Sequence, residues 1–501
     1  MLNIRNFASL PVIFAGLTIS NTAFATNGMN LEGYGPIAHS MGGASMAYDN
    51  GTAAVINNPA TLGLMKDNSS RLDLAVGLLG PDIEASVGGL TANSSGDAYY
   101  MPAIGWAKRQ DKYTYGFGVF GQGGMGTEYS ASSWMGDPSN GANTALSQRL
   151  TNRAELSVGR LMLPLTFQAN NKLIIGGSVD LVWAGLDLQM ALSEAQFVDM
   201  ATPSVQTIGS ASGTLVDGFG AWYEPFGGEV VPSSGRGISK LHHAYFDFSN
   251  SSDYSGKANA TGYAAKLGMT YQINPKLSFG ATYHSKTKLN NLETSDATLS
   301  MAVNADFDGV GGNPYADVNI PVSGKMSVNN FQWPEIYALG IAYQANDRLM
   351  IAVDTKYIGW ADVMKNFDMT FTADGTQANP LAAGFANAVL DATLFQSWES
   401  QTTLQLGATY EYSEQVSLRG GLNYAKNPVP DQYVNALFPA TTEKHLTAGI
   451  GYAVDDNNEV NFSLSFVPEI STTNPGNGST IPPVTTTHSQ LSWQLMYSRI
   501  L

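Results

Sequence analysis

The sequence predicts an all-β fold: a 14-stranded antiparallel transmembrane β-barrel plugged by a small N-terminal hatch. Three observations carry that expectation. Apolar and polar residues alternate with period two along most of the chain, the links between these segments sort into short and long, and no segment after the N-terminus approaches a membrane helix. Composition sets the bounds. The 501 residues hold 25 Lys+Arg against 41 Asp+Glu, a net charge of -16, and only 13% are charged. A soluble domain averages about 25%. An acidic chain is a poor nucleic-acid binder, and 44% hydrophobic residues exclude a disordered one. With no cysteine, disulfide scaffolds, Cys-ligated zinc and thiol catalysis are excluded as well.

Residues 1–25 read as a secretory signal. Arg5 supplies the positive start, residues 10–19 the apolar stretch, and Ala23-Phe24-Ala25 a small-residue cleavage site. The apolar stretch contains Pro11 and Thr18 and is half the roughly 20 residues a span requires. Cleavage after Ala25 is therefore expected. Two classes stay open at this point, a secreted soluble protein and a membrane barrel.

Alternation is plain in residues 403–412, where Leu404, Leu406, Ala408, Tyr410 and Tyr412 interleave with Thr403, Gln405, Gly407, Thr409 and Glu411. It recurs in Val460, Phe462, Leu464 and Phe466 against Asn461, Ser463 and Ser465. Successive side chains of a strand point to opposite faces, so each segment has one greasy face and one polar or small face. A β-sandwich shares this property, and link lengths separate the two. Fourteen strand candidates cover 70–88, 99–109, 113–129, 153–169, 172–192, 258–273, 276–304, 322–345, 347–372, 398–413, 414–426, 440–454, 457–470 and 485–498. Residues 110–112, 170–171, 274–275, 346, 413–415 and 455–458 are tight polar turns, whereas the other links are long, up to 193–257. Short turns at one end and long loops at the other describe an outer-membrane barrel; a sandwich has no reason to sort its loops this way.

Tyrosines fall near strand ends, among them Tyr113, Tyr271, Tyr283, Tyr343, Tyr357, Tyr410, Tyr424, Tyr452 and Tyr497, as interfacial girdles require. The last strand departs from the usual barrel ending, with Arg499 on its apolar face and Leu501 rather than an aromatic after it. Residues 26–66 differ in character, being small, apolar and Gly-rich. A wall of fourteen strands encloses more space than side chains alone fill, so this segment is expected to plug the lumen, with 67–501 forming the barrel.

Asn57-Asn58-Pro59-Ala60, followed by Leu62 and Leu64, resembles the hatch signature of the FadL-type outer-membrane transporters of long-chain fatty acids and aromatic hydrocarbons. Segments 99–129, 262–283, 332–360 and 407–430 look similar too, so the resemblance runs from about Gly28 onward. It implies a 14-stranded barrel with an N-terminal hatch, gated around Asn58, Pro59 and Ala60. It also implies an inward kink of the third strand, here Phe120-Gly121-Gln122-Gly123-Gly124-Met125-Gly126, opening a lateral window into lipid. Gly121, Gly123 and Gly124 are the residues expected to make that kink, because glycine within a strand commonly marks a bulge.

An apolar cargo needs a landing place. Phe219 and Trp222 in 193–257, a loop that also holds Phe226, and Phe385 and Val389 in 373–397 are the extracellular groove candidates; Leu381, Phe385 and Val389 fall near helical spacing. A carboxylate head group would need a lumen cation, and strand parity turns Lys266, Lys356 and Arg419 inward, with Asp354 near Lys356 and Glu411 across from Arg419. Structural pairing is the competing role of each. Catalysis has no distinctive support: Ser is abundant everywhere, and adjacent His242 and His243 face opposite ways on a strand. No metal and no cofactor are expected.

The expected function is uptake of hydrophobic small molecules through extracellular capture, hatch gating and lateral release. The alternative is a general diffusion porin for polar solutes, and a third class is an adhesin acting through its loops. Expected partners are the hydrophobic ligand, outer-membrane lipid and the barrel-assembly machinery, with no nucleic acid; the family implies a monomer.

Overall fold

A computed structural model describes residues 27–136, 150–223, 237–252, 255–306 and 315–501. The expected signal segment 1–25 and Phe226 lie outside the described residues. Side-chain burial separates barrel from sandwich at once. In β19 (Gln401–Glu411), Leu404 and Leu406 are 53% and 42% exposed, while Gln405 is 0% exposed. Apolar residues face outward and polar ones inward, the inverse of a soluble sheet and the arrangement lipid demands.

Numbered in chain order, the described residues form a single sheet of 23 strands. Its closed circuit runs β1 (Ser70–Leu79), β4 (Tyr99–Gln110), β5 (Tyr113–Tyr129), β6 (Asn152–Gln168), β7 (Leu173–Ser193), β10 (Ala258–Asn274) and β11 (Leu277–His284). It continues through β15 (Ile336–Asn346), β16 (Leu349–Ile358), β19, β20 (Val416–Ala425), β21 (Lys444–Asp455), β22 (Asn458–Asn474) and β23 (Val484–Ile500), which returns to β1. Every pairing is antiparallel.

The expected fold of fourteen strands is corrected by this sheet, which holds more. Residues 70–88 form both β1 and β2 (Pro81–Val87), and 276–304 form β11, β12 (Lys288–Leu289) and β13 (Leu292–Asp306). Residues 322–345 divide between β14 (Ala316–Asn329) and β15, and 347–372 between β16 and β17 (Asn366–Ala373). Four strands lie where loops were expected: β3 (Leu90–Asn93), β8 (Gly209–Ser212), β9 (Gly237–Phe248) and β18 (Val389–Phe395). Alternation carries no marker for a change of partner. The chain stays extended through Gly80-Pro81 and keeps β23 beside it in one register while its other partner changes from β4 to β3, so two strands read as one. At the long-loop end, β9, β13, β14, β17, β18 and β8 pair in that order into a side sheet, joined to the wall through β7–β9. Helices α2 (Glu194–Ala201) and α3 (Thr214–Gly220) complete this lobe.

Aromatic rings band the exterior at two levels. Tyr113, Tyr271, Tyr343, Tyr410, Tyr452 and Tyr497 sit exposed at the tight-turn end. Tyr283, Tyr337 and Tyr357 stand side by side at the other end, ring centroids 4.9 and 6.4 Å apart. Tyr337 and Tyr343 on β15 are six residues apart, about 20 Å of strand, close to the roughly 25 Å apolar band of such barrels.

Inside the wall, residues 27–65 fill the lumen. All are buried except Ile37, Asp49 and Leu64. The segment is built from α1 (Pro36–Ser40) and two 3-10 turns, Gly51–Val55 and Pro59–Leu64. Pro36 and Pro59 each open a turn, where a missing N–H costs nothing. The Asn58 side chain caps the second 3-10 turn by accepting from the Ala60 N–H.

Candidate functional site

Glycines of the wall receive the hatch. A Cβ on Gly268 would lie 2.0 Å from Asn58 Oδ1, one on Gly280 1.8 Å from the Met46 carbonyl oxygen, and one on Gly421 2.1 Å from the Gly42 nitrogen. Barrel side chains then hold the hatch backbone. Asp354 Oδ2 accepts from the Ser45 and Met46 N–H groups at 2.6 and 3.0 Å. Lys356 Nζ donates to the Glu32 and Gly43 carbonyls at 3.1 and 3.2 Å. Asn58 Nδ2 donates to the Met46 and Met269 carbonyls, and Thr166 Oγ1 to the Pro59 carbonyl at 3.0 Å. Asn58, Pro59 and Ala60 therefore sit against β6, β7 and β10. A third contact uses Glu32, whose carboxylate lies 2.9 Å from His39 and 3.7 Å from His445. Burial opposes ionisation of Glu32, and the His445 and His39 imidazoles outweigh it, holding the carboxyl well below its ordinary range.

The wall is interrupted at β5. Pairing with β4 runs from Gln110↔Tyr113 to Ile104↔Val119 and stops there, whereas pairing with β6 continues to Tyr129↔Asn152. Between Gly121 and Gly123 the register with β6 shifts by one residue, because Gln122 has no counterpart between Gly159 and Val158. That is a β-bulge, which bends a strand away from its neighbour. Gly123 takes φ 156 there. Gly121, Gly123 and Gly124 thus all sit at the bulge. The hatch tip takes up pairing where β4 leaves off: Asn30 bridges Gly123, the Gly124 N–H donates to the Met29 carbonyl at 3.2 Å, and Tyr34 OH donates to the Gln122 carbonyl at 2.5 Å.

A narrow crevice lies at this interruption, bounded by Leu31 and Tyr34 of the hatch, Met101, Ala103 and Ile104 of β4, and Phe120 and Gly121 of β5. Met101 and Ala103 point inward on β4 and Ile104 outward, so the crevice is lined from both faces of the wall. It begins level with Leu161 and Leu181, within the apolar belt.

At the long-loop end, Phe197, Met200, Leu215, Phe219, Phe246, Met301 and Leu390 line an apolar pocket between the two helices and the side sheet. Phe219 is buried in this pocket. Trp222 is exposed and does not line it, and Phe385 is half-buried against the same apolar core. Val389 begins β18 and donates its N–H to Thr214 Oγ1. The helical face expected over Leu381, Phe385 and Val389 is corrected: Pro380–Phe385 is a 3-10 turn and Leu381 is exposed. Pro380 starts the turn, and the backbone leaves the helical region at Ala386 (ψ 128) and Asn387 (φ 61), so the helical period does not reach Val389.

The three lumen cations are all buried or nearly so and all engaged by protein. Lys266 pairs with Asp180, which Arg160 also reaches at 2.9 Å. Lys356 holds hatch carbonyls, while Asp354, expected beside it, serves hatch N–H groups instead. Arg419 bonds Asn461 Oδ1 at 2.7 Å and approaches Glu459 at 3.9 Å, rather than the expected Glu411. His242 lies 3.0 Å from Asp317. Sequence reasoning missed Asp354 as a hatch anchor, Arg160, and the wall glycines; inward-facing Gly268, Gly280 and Gly421 carried the available signal.

A family model described as "Outer membrane protein transport protein (OMPP1/FadL/TodX)" matches residues 12–489. The structure is similar to the Pseudomonas putida toluene transporter TodX, with TM-score 0.76 and 29% identity over 94% of this chain and 99% of that one. It is similar also to the Ralstonia pickettii toluene transporter TbuX, with TM-score 0.69 and 30% identity over 94% and 99% of the two chains. The long-chain fatty acid transport protein of Escherichia coli O6:H1 is 21% identical over 217 residues, 42% of this chain and 43% of that protein. The chain spans 38% to 60% of the length of the curated relatives it matches.

Proposed function

Because the chain belongs to the OMPP1/FadL/TodX family of outer-membrane transport proteins, we propose that it is an uptake channel for hydrophobic small molecules, releasing them sideways into the membrane. The interruption between β4 and β5 carries this reading: it is a breach in the wall at lipid depth, lined with apolar side chains and sealed from within by the hatch tip. An unpaired backbone facing lipid costs several kcal/mol per group, so a gap without a use would be closed.

In this scheme residues 1–25 are a signal removed on export, 26–66 the hatch and 67–501 the barrel. Cargo lands on the long-loop lobe around Phe219, Trp222, Phe385 and Val389, moves down to the hatch, and displaces its tip. Asn58, Pro59 and Ala60 form the fixed end about which the tip moves. Gly121, Gly123 and Gly124 frame the exit. The channel is a monomer inserted by the barrel-assembly machinery, and it performs no chemistry on its cargo. Neutral hydrocarbons such as toluene suit the path better than carboxylates, because Lys266, Lys356 and Arg419 already have protein partners.

The test pairs two measurements on purified protein. Vesicles carrying it should take up toluene faster than empty vesicles, and planar bilayers carrying it should show no steady ohmic current. A large steady current without toluene uptake contradicts the reading and favours a porin.

A further inference from the structure

Three tryptophans lie over the hatch tip. Trp333 precedes β15, Trp360 opens the 3-10 turn after β16, and Trp398 precedes β19, so each comes from a different connection dipping into the lumen. Their rings meet edge to face, with centroids 5.5 Å apart between Trp333 and Trp360 and 5.3 Å between Trp360 and Trp398. None is more than 2% exposed. Side-chain amides pin two of them: Trp360 Nε1 donates to Gln401 and Trp398 Nε1 to Gln396, both at 3.1 Å. Burying three indoles together in a transport path is a large commitment of apolar surface, and such contacts prefer this edge-on geometry.

The tip is fitted to this array. Residues 27–30 form a tight turn, with mutual backbone bonds between Asn27 and Asn30. Gly28, at φ 68, lies so close under Trp360 that a Cβ there would approach its Nε1 to 2.8 Å. Trp333 Nε1 donates to Asn30 Oδ1 at 3.4 Å, and the same ring lies 3.1 Å from where a Cβ on Gly123 would stand. Trp333 therefore touches both the hatch tip and the β5 bulge. Met29, in the tip, belongs to the same continuous apolar core as these rings and as Phe219 of the lobe pocket. A greasy molecule following that core meets the indoles before it reaches the breach.

We propose that Trp333, Trp360 and Trp398 form the latch that keeps the tip seated, and that apolar cargo opens the breach by competing with Gly28 and Asn30 for the indole faces. This rests on the uptake reading above, and it names positioning residues and a trigger for the gate. Planar aromatic cargo matches the indole faces better than a flexible chain, so the latch also biases specificity.

The absence of cysteine permits a direct test. An Asn27→Cys reporter on the full chain is labelled with a maleimide in detergent, with and without toluene, and barrel folding is checked by heat-modifiable migration. Asn27 is fully buried, so labelling should be slow, and toluene should accelerate it about tenfold. Adding Trp360→Leu should give the fast rate without toluene, whereas Trp360→Phe should keep the toluene response. Gly28→Ala, which presses on the same ring from the hatch side without touching the wall, should likewise free the tip. Slow labelling in both folded Trp360→Leu and Gly28→Ala would overturn the latch. So would a parental rate indifferent to toluene in protein that still takes toluene up; loss of uptake itself, by contrast, would strike the functional reading.

Discussion

Deleting Gln122 is expected to close the wall and to cut toluene uptake at least about tenfold, with the barrel still folded. Gln122 is the residue that β5 carries in excess of β6 at the bulge. Without it, Gly121 and Gly123 become neighbours opposite Gly159 and Val158, and the bend loses its cause. β5 can then continue along β4 beyond Ile104↔Val119, satisfying backbone groups at a gain of the order of 1 kcal/mol per bond. The deletion also removes the carbonyl to which Tyr34 donates, so the tip loses its partner as the breach disappears. Initial uptake rates in vesicles, compared at equal amounts of heat-modifiable protein, measure the effect. Uptake unchanged in a folded deletion would mean that cargo leaves elsewhere.

The second large effect concerns the hatch anchor. Asp354→Ala is expected to pass steady current in planar bilayers under conditions where the parent protein is expected to pass none. The Asp354 carboxylate takes two backbone N–H groups of the hatch while only 1% exposed. Bonds to a charged group contribute roughly 1.5–3 kcal/mol each, and the N–H groups left behind are buried and unpaired. Losing a few kcal/mol is severe for a 39-residue insert that has no independent sheet, yet the wall keeps its own ladders from β16 to β15 and β19. Asp354→Asn retains one acceptor oxygen and should give a smaller, intermittent current. Silence in Asp354→Ala would show that the remaining contacts, Lys356 and Asn58 above all, suffice to seat the hatch.

Much of this was legible in residue order, and the reasons are specific. Leu404 and Leu406 against Thr403 and Gln405 disclosed two faces, and the sorting of links disclosed a membrane barrel, because a strand's period is a local property. Partner changes are not local. Nothing in 276–304 announces that β11 stays in the wall while β13 joins a side sheet, since both stretches alternate alike. The bulge was legible from the clustering of Gly121, Gly123 and Gly124, whereas the end of the β4 ladder at Ile104 depends on a neighbour far along the chain. Lys266, Lys356 and Arg419 were legible as inward cations; that Lys356 grips the hatch backbone follows only from the fold. Trp333, Trp360 and Trp398 stand dozens of residues apart, and only the closure of the wall brings them over Gly28.

The route by which cargo leaves is recorded directly by a photoreactive diazirine derivative of an aromatic hydrocarbon. Irradiated in lipid vesicles during uptake and mapped by peptide mass spectrometry, it should attach to Met101, Ala103 and Phe120, which line the breach. A polar cleft at the tight-turn end, lined by Arg71, Arg348 and Glu459, should stay unlabelled. Adducts confined to that cleft would place the exit in the aqueous space below the barrel and contradict release into lipid.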